Sequence, residues 1–201
     1  MFFQRGSLRQ VAVAVRAMVV LTVVLGVGYT LLITGIGQLA LPAQANGSLV
    51  RVGGKAVGSS LLGQAFTTAK GVALPQWFQS RPSAAGNGYD GGASSGSNYG
   101  PNNRTLEKLI ADRQKAVEKL DGVPLSSVPA DAVTASGSGL DPDISPAYAL
   151  LQVDRVAKIR GLEPSVVKKL VESKIQGREL DYLGEPTVNV LTLNIALAQL
   201  G

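Results

Sequence analysis

The sequence predicts an α+β protein in which a single N-terminal transmembrane helix precedes one soluble extracytoplasmic α+β domain. Three observations carry that prediction. Residues 17–37 form an uncharged apolar run, short β-branched runs stand beside glycine turns, and apolar residues recur at helical spacing through the second half. At 201 residues the chain has room for one compact domain beside a membrane element.

The apolar run, "AMVVLTVVLGVGYTLLITGIG", would span roughly 30 Å as a helix, the thickness of a bilayer's hydrocarbon core. Arg5, Arg9 and Arg16 precede it, and the next cation is Arg51. That asymmetry predicts a cytoplasmic N-terminus over 1–16 and an extracytoplasmic domain over 38–201. The small-x-small pattern Ala43-Gln44-Ala45 would suit a cleaved leader. The apolar run is longer than a leader's core of about 7–15 residues, so a retained single-pass anchor in the cell membrane is the reading. Thr22, Gly26, Thr30 and Thr34 recur every four residues along it. Small and hydroxyl side chains in a stripe let a second membrane helix approach closely, although such residues are common in membrane helices anyway.

After the anchor, "ANGSLVRVGGKAVGSSLLGQAF" reads as two short strands joined at Gly53-Gly54. Trp77 and Phe78 are expected as apolar anchors. Residues 84–103 are dominated by Gly, Ser and Asn and read as a long loop, with Tyr89 and Tyr99 able to pin it to a surface. Residues 104–120 predict an amphipathic helix with Leu106, Leu109, Ile110, Val117 and Leu120 on one face, Asn103 as its cap and Gly122 as its stop. A short strand is expected over 132–135. Ser145-Pro146 then caps a helix that runs to Gly161 and buries Leu150, Val153, Val156 and Ala157. A further helix starts at Pro164 and ends near Gly177. The β-branched "TVNV" passes into a terminal helix.

Composition excludes several chemistries. With no cysteine and no histidine, there is no disulfide framework, thiolate metal site, Ser-His-Asp triad or His-ligated zinc. The formal charge of +5 is spread along the chain, and the few aromatics do not interleave with basic residues, which argues against nucleic-acid binding. The stretch "SGSGLDPDISP" invites three readings. A phosphate cradle lacks the P-loop spacing and its lysine. A hard-cation site could use Asp141 and Asp143, but the prolines at 142 and 146 stiffen the segment. The preferred reading is a rigid polar docking loop made by Ser136, Gly137, Ser138, Gly139, Asp141 and Asp143. The alternative is an anchored hydrolase or small-ligand-binding protein acting alone; its catalysis would have to rest on carboxylates, Ser/Lys or Tyr, with Asp141 and Asp143 as the one close acidic pair beside a glycine turn.

Several stretches resemble a known family in order along nearly the whole chain. They include "GSSLLGQAF", "WFQSRPSAAG", "SGSNYGPNN", "VPADAVTASGSGLDPDISPAYALLQVDRVAKIRGL" and "GRELDYLGEPTVNVLTLNIALAQL". The family is the C-type accessory component of the Kdp-type potassium-transporting P-type ATPase complex. The resemblance implies a non-catalytic accessory subunit with no cofactor of its own. ATP and potassium are used by the complex, and the implied partners are a potassium-channel-like subunit and an ATP-hydrolysing subunit. Members of the family are described as needed for assembly and as catalytic chaperones that raise ATP affinity. The absence of the Asp-Lys-Thr-Gly phosphorylation motif agrees with a non-catalytic role. Two departures stand out: the family commonly carries a histidine where this chain has Asp143, and another near Lys174. No histidine-based role transfers to those positions.

Overall fold

The structure, a computed structural model, describes residues 5–200. It divides into two units, one reaching Leu49 and one beginning at Val50. In the first, α1 (Arg5–Leu21) and α2 (Thr30–Ala40) flank a π-helical stretch, Thr22–Tyr29. Leu8–Ala40 is long and apolar enough to cross a membrane, so helical structure extends past both ends of the expected 17–37 span. Its large apolar side chains are all exposed, from Leu8 at 64% to Leu39 at 88%. The helix ends where Pro42 forces Leu41 out of helical geometry, at φ −135°. A single turn, α3 (Pro42–Ala45), follows. Asn46 then closes the end, its Nδ2 donating to the Pro42 carbonyl at 2.7 Å and to Gln38 Oε1 at 2.9 Å.

The second unit is α+β. A hairpin joins β1 (Leu49–Val52) to β2 (Lys55–Ser59) through Gly53 and Gly54, both at positive φ, as the two-residue turn requires. Helix α4 (Arg104–Asp121) is capped by Asn103, whose side chain accepts the Thr105 and Leu106 N–H groups, and it stops at left-handed Gly122. Of its expected apolar face Val117 is buried, while Leu106, Leu109, Ile110 and Leu120 are half-buried. A three-stranded antiparallel sheet follows in the order β3 (Asp143–Ile144), β5 (Thr187–Asn189), β4 (Ile175–Gln176), with Val188 paired to both Ile144 and Ile175. Helices α5 (Pro146–Leu151), α6 (Val153–Arg160), α7 (Pro164–Ser173) and α8 (Val190–Leu197) pack around it. The core gathers Phe78, Ile144, Val156, Val167, Val171, Val188, Leu193 and Leu197, each buried to within 2%. Each such side chain contributes about 1.5–3 kcal/mol by leaving water.

Three sequence expectations are corrected. Residues 132–135 form no strand. Pro129 leads into a 3-10 turn (Ala130–Ala132), and Asp131 is held there by accepting both the Ser145 N–H (2.7 Å) and hydroxyl (2.9 Å). The helix expected from 146 to 161 is broken at Gln152. Its Nε2 donates to the Tyr148 carbonyl at 3.3 Å, while its own N–H turns to Ala149 O, so the side chain takes the acceptor that a continuous helix would give the backbone. Helix α7 ends at Ser173 rather than near Gly177, because Ile175 and Gln176 pair with β5.

Candidate functional site

The segment 136–145 is the hub of a loop cluster. The Ser138 carbonyl accepts the Ser95 N–H and the Ser94 hydroxyl, both at 3.0 Å, and the Gly139 carbonyl accepts the Ser83 hydroxyl at 2.6 Å. The Leu140 carbonyl accepts the Gly63 N–H at 2.8 Å. Gly139 is buried at φ +68°, and a Cβ there would sit 2.6 Å from both Ala85 N and Ser95 O. Only glycine fits such an approach. The structure therefore brings the six expected docking residues together, but their backbone first holds the chain at 83–96. Gly137 and Ser138 face outward, Asp141 and Asp143 are half-buried, and Ser136 is buried.

The Gly/Ser-rich loop has no helix or strand, yet Tyr89 pins it. The Tyr89 hydroxyl donates to the Arg81 carbonyl at 2.8 Å, and its N–H donates to the Ser83 hydroxyl at 2.8 Å. Burial pushes the Tyr89 phenol up to about 12, so it stays a donor. Tyr99, the other expected pin, is 41% exposed.

The acidic pair is divided between two environments. Asp141 Oδ2 pairs with Arg81 Nη1 at 2.8 Å, and Oδ1 accepts the Asp143 N–H at 3.0 Å. Asp143 lies in β3. Burial, and then the neighbouring Asp141 charge, push its carboxyl above the usual range, with Asn189 and Thr187 pulling the other way. Among the described residues, no group of three or more His, Cys, Asp or Glu side chains could hold a metal ion.

Sequence reasoning missed how the Trp77–Phe78 segment is held. Chain 74–80 lies against α6 and α8 without forming a strand, and buried side chains satisfy its backbone. Asn194 accepts the Phe78 N–H and donates to the Phe78 carbonyl, both at 2.9 Å. Gln152 does the same for Gln79, at 2.6 and 3.2 Å. Arg155 donates to the Pro75 carbonyl and, at 3.0 Å, to that of Trp77, while pairing with Asp121 at 2.7 Å. Arg160 donates to the Gln76 carbonyl and stacks its guanidinium 4.3 Å over the Trp77 ring. The available signal was polar residues standing at apolar spacing, Gln152 and Arg155 in "LLQVDRVA" and Asn194 in "LNIALAQL".

In the membrane-length helix, Thr22 and Gly26 lie within the π-helical stretch, Thr30 begins α2 and Thr34 lies one turn on. In an α-helix, with 3.6 residues per turn, a four-residue spacing overshoots each turn. The i→i+5 bonding of a π-helix winds roughly more than four residues into a turn, so the same spacing undershoots. The opposite drifts partly cancel, and the four residues lie on a straighter stripe than a uniform α-helix would give. A Cβ added at Gly26 would meet only Thr22 Cγ2, at 3.7 Å.

These features define a class: a chain with, among the described residues, one helix long and apolar enough to cross a membrane, ahead of an α+β unit whose buried polar groups bind its own backbone. The family model of the K+-transporting ATPase c chain (KdpC) matches residues 11–199, and the chain belongs to that family. Its relatives include the potassium-transporting ATPase KdpC subunits of Gemmatimonas aurantiaca, 54% identical over 90% of this chain and 87% of that protein, and of Caulobacter vibrioides, 51% identical over 92% and 90%. The KdpC subunit of Mycobacterium tuberculosis is 47% identical over 96% of this chain and 99% of its own length.

Proposed function

We propose that this chain is the non-catalytic accessory subunit of an ATP-driven potassium-uptake complex, anchored once in the cell membrane with residues 1–16 in the cytoplasm and 38–201 outside. The family match along nearly the whole chain carries this reading. The helix packs against the potassium-channel-like subunit through Thr22, Gly26, Thr30 and Thr34. The outer domain docks at the external mouth of the potassium pathway through the loop at Ser136, Gly137, Ser138, Gly139, Asp141 and Asp143. In this assembly the chain supports complex formation and acts as a catalytic chaperone, raising ATP affinity in the ATP-hydrolysing subunit. An outside domain reaches nucleotide on the other side of the membrane only by linkage, as a coupling free energy carried through packed helices.

Gly26→Leu combined with Thr30→Leu tests the seam. A Cβ at Gly26 meets Thr22 Cγ2 at an ordinary 3.7 Å and no other described atom within 4 Å, so the lone subunit should insert and fold as before. Co-purification with the channel-like subunit in mild detergent should fall about tenfold, the loss of roughly 1.4 kcal/mol. An unchanged yield of complex would remove the seam from the proposal.

A further inference from the structure

Outside the loop hub, the second unit holds a cavity of about 640 Å³ between α4, the start of α5 and the chain at 65–82. That volume lies within the range of small-molecule sites, roughly 300–1,000 Å³. Its walls are mainly apolar, with Phe66, Val72, Pro82 and Leu120 among them. Three cations line it and no carboxylate does. Arg81 is neutralised by Asp141, whereas Arg113 and Lys119 make no ion pair within 4.0 Å among the described residues. One nitrogen of Arg113, Nη1, donates to the Val133 carbonyl at 2.9 Å, and its other guanidinium donors bond no described residue. A second observation comes from the opposite wall. Tyr148 is 97% buried, lines the cavity, and its hydroxyl forms no hydrogen bond with a described residue. Among the described residues the fully enclosed side-chain atoms without a partner are Asp121 Oδ2 and Asp143 Oδ1, so the Tyr148 hydroxyl keeps some access from the cavity, where water or a ligand can meet it.

We propose that this cavity is a binding site for a monocarboxylate with an apolar body, its carboxylate held by Arg113 and Lys119 and its body lying against Phe66, Val72 and Leu120. A planar guanidinium matches a carboxylate as a two-pronged donor. The apolar walls leave room for one compact anionic group, not for a string of phosphates. The Tyr148 hydroxyl supplies the remaining hydrogen bond. The same chemistry is offered by a soluble organic acid and by a fatty acid released from the membrane. The site does not depend on the role proposed for the chain in a complex.

The test uses the full chain in phosphatidylcholine nanodiscs, with empty discs as the blank. Saturation-transfer NMR follows phenylbutyrate, and phenylbutanol serves as its neutral counterpart. Phenylbutyrate should bind saturably, and the alcohol about tenfold more weakly, the loss expected for one charge-assisted contact. Arg113→Gln should weaken phenylbutyrate by a similar ~10-fold while leaving the alcohol unchanged. Ala116→Trp, on an exposed position of the rim, should block both probes, and it decides the matter if Arg113→Gln does not fold. Displacement by dodecanoate below the phenylbutyrate concentration assigns a membrane-derived acid, and its failure to displace assigns a soluble one. Equal binding of acid and alcohol, or phenylbutyrate binding that both variants leave intact, overturns the proposal.

Discussion

Asn194→Ala should weaken the second unit out of proportion to the atoms it removes. Asn194 is 3% exposed and Phe78 fully buried, and the Asn194 amide meets both the N–H and the carbonyl of Phe78 at 2.9 Å. Removing the amide orphans two buried backbone groups, each of which carries a penalty of about 1–3 kcal/mol. The expected loss is about 3–4 kcal/mol, a large share of the 5–15 kcal/mol typical of a folded domain. For a unit of this size the melting temperature should fall by about 10 °C. Thermal melts of the full chain, followed by Trp77 fluorescence, read this directly, because Trp77 adjoins the released segment. Asn194→Leu conserves bulk and should be nearly as damaging. If it were tolerated within about 1 kcal/mol, packing rather than amide-to-backbone bonding would hold the segment, and the reasoning would fail.

Gly139→Ala combines a left-handed backbone with a Cβ 2.6 Å from two backbone atoms, so it should destabilise by about 2–3 kcal/mol and make 84–103 the first site cut in limited proteolysis. Asp121→Ala leaves the Arg155 guanidinium buried without its counter-charge and should lower stability by about 3–5 kcal/mol in denaturant titrations. Asp143 has a raised carboxyl pKa, so its contribution is fully present below its usual 3.8 and is lost as pH rises through the raised value. Asp143→Asn should therefore equal or exceed the parent in stability at neutral pH, and the difference should close as the pH is lowered through that value. A stability gap that widened towards low pH would contradict the burial argument.

Elements governed by local chemistry were legible in the sequence: the Gly53-Gly54 hairpin, the Asn103 cap, the Gly122 and Gly161 stops, and the strand-to-helix passage at Asn189. What escaped was non-local. The break at Gln152 depends on Gln79, distant in sequence, drawing the side chain inward. The missing strand at 132–135 depends on Ser145 holding Asp131. The Asp143–Ile144 strand is two residues long, and only its partner β5 makes it one. The candidate loop was legible as a cluster of turn-formers. Its role as the support for 83–96 was not, because that rests on carbonyls at 138 and 139 meeting serines at 83, 94 and 95.

The membrane-length helix shows the same limit in another form. A four-residue repeat read on an α-helix drifts around the cylinder, and on that ground the Thr22–Thr34 pattern is a weak seam. The π-helical stretch covers the first part of the repeat, and its wider winding turns the drift back. Gly26 and Gly28 lie in that stretch, where missing side chains leave the backbone open. Winding and composition then agree at Gly26, where a position without a side chain lies in the stretch whose geometry keeps the stripe on one face. A partner helix packing there would meet threonine hydroxyls in line instead of a spiral. Replacing Gly26 and Thr30 therefore tests geometry as well as bulk, since Thr34, wound on the ordinary α-helical pitch, should be the more tolerant position in the same co-purification assay.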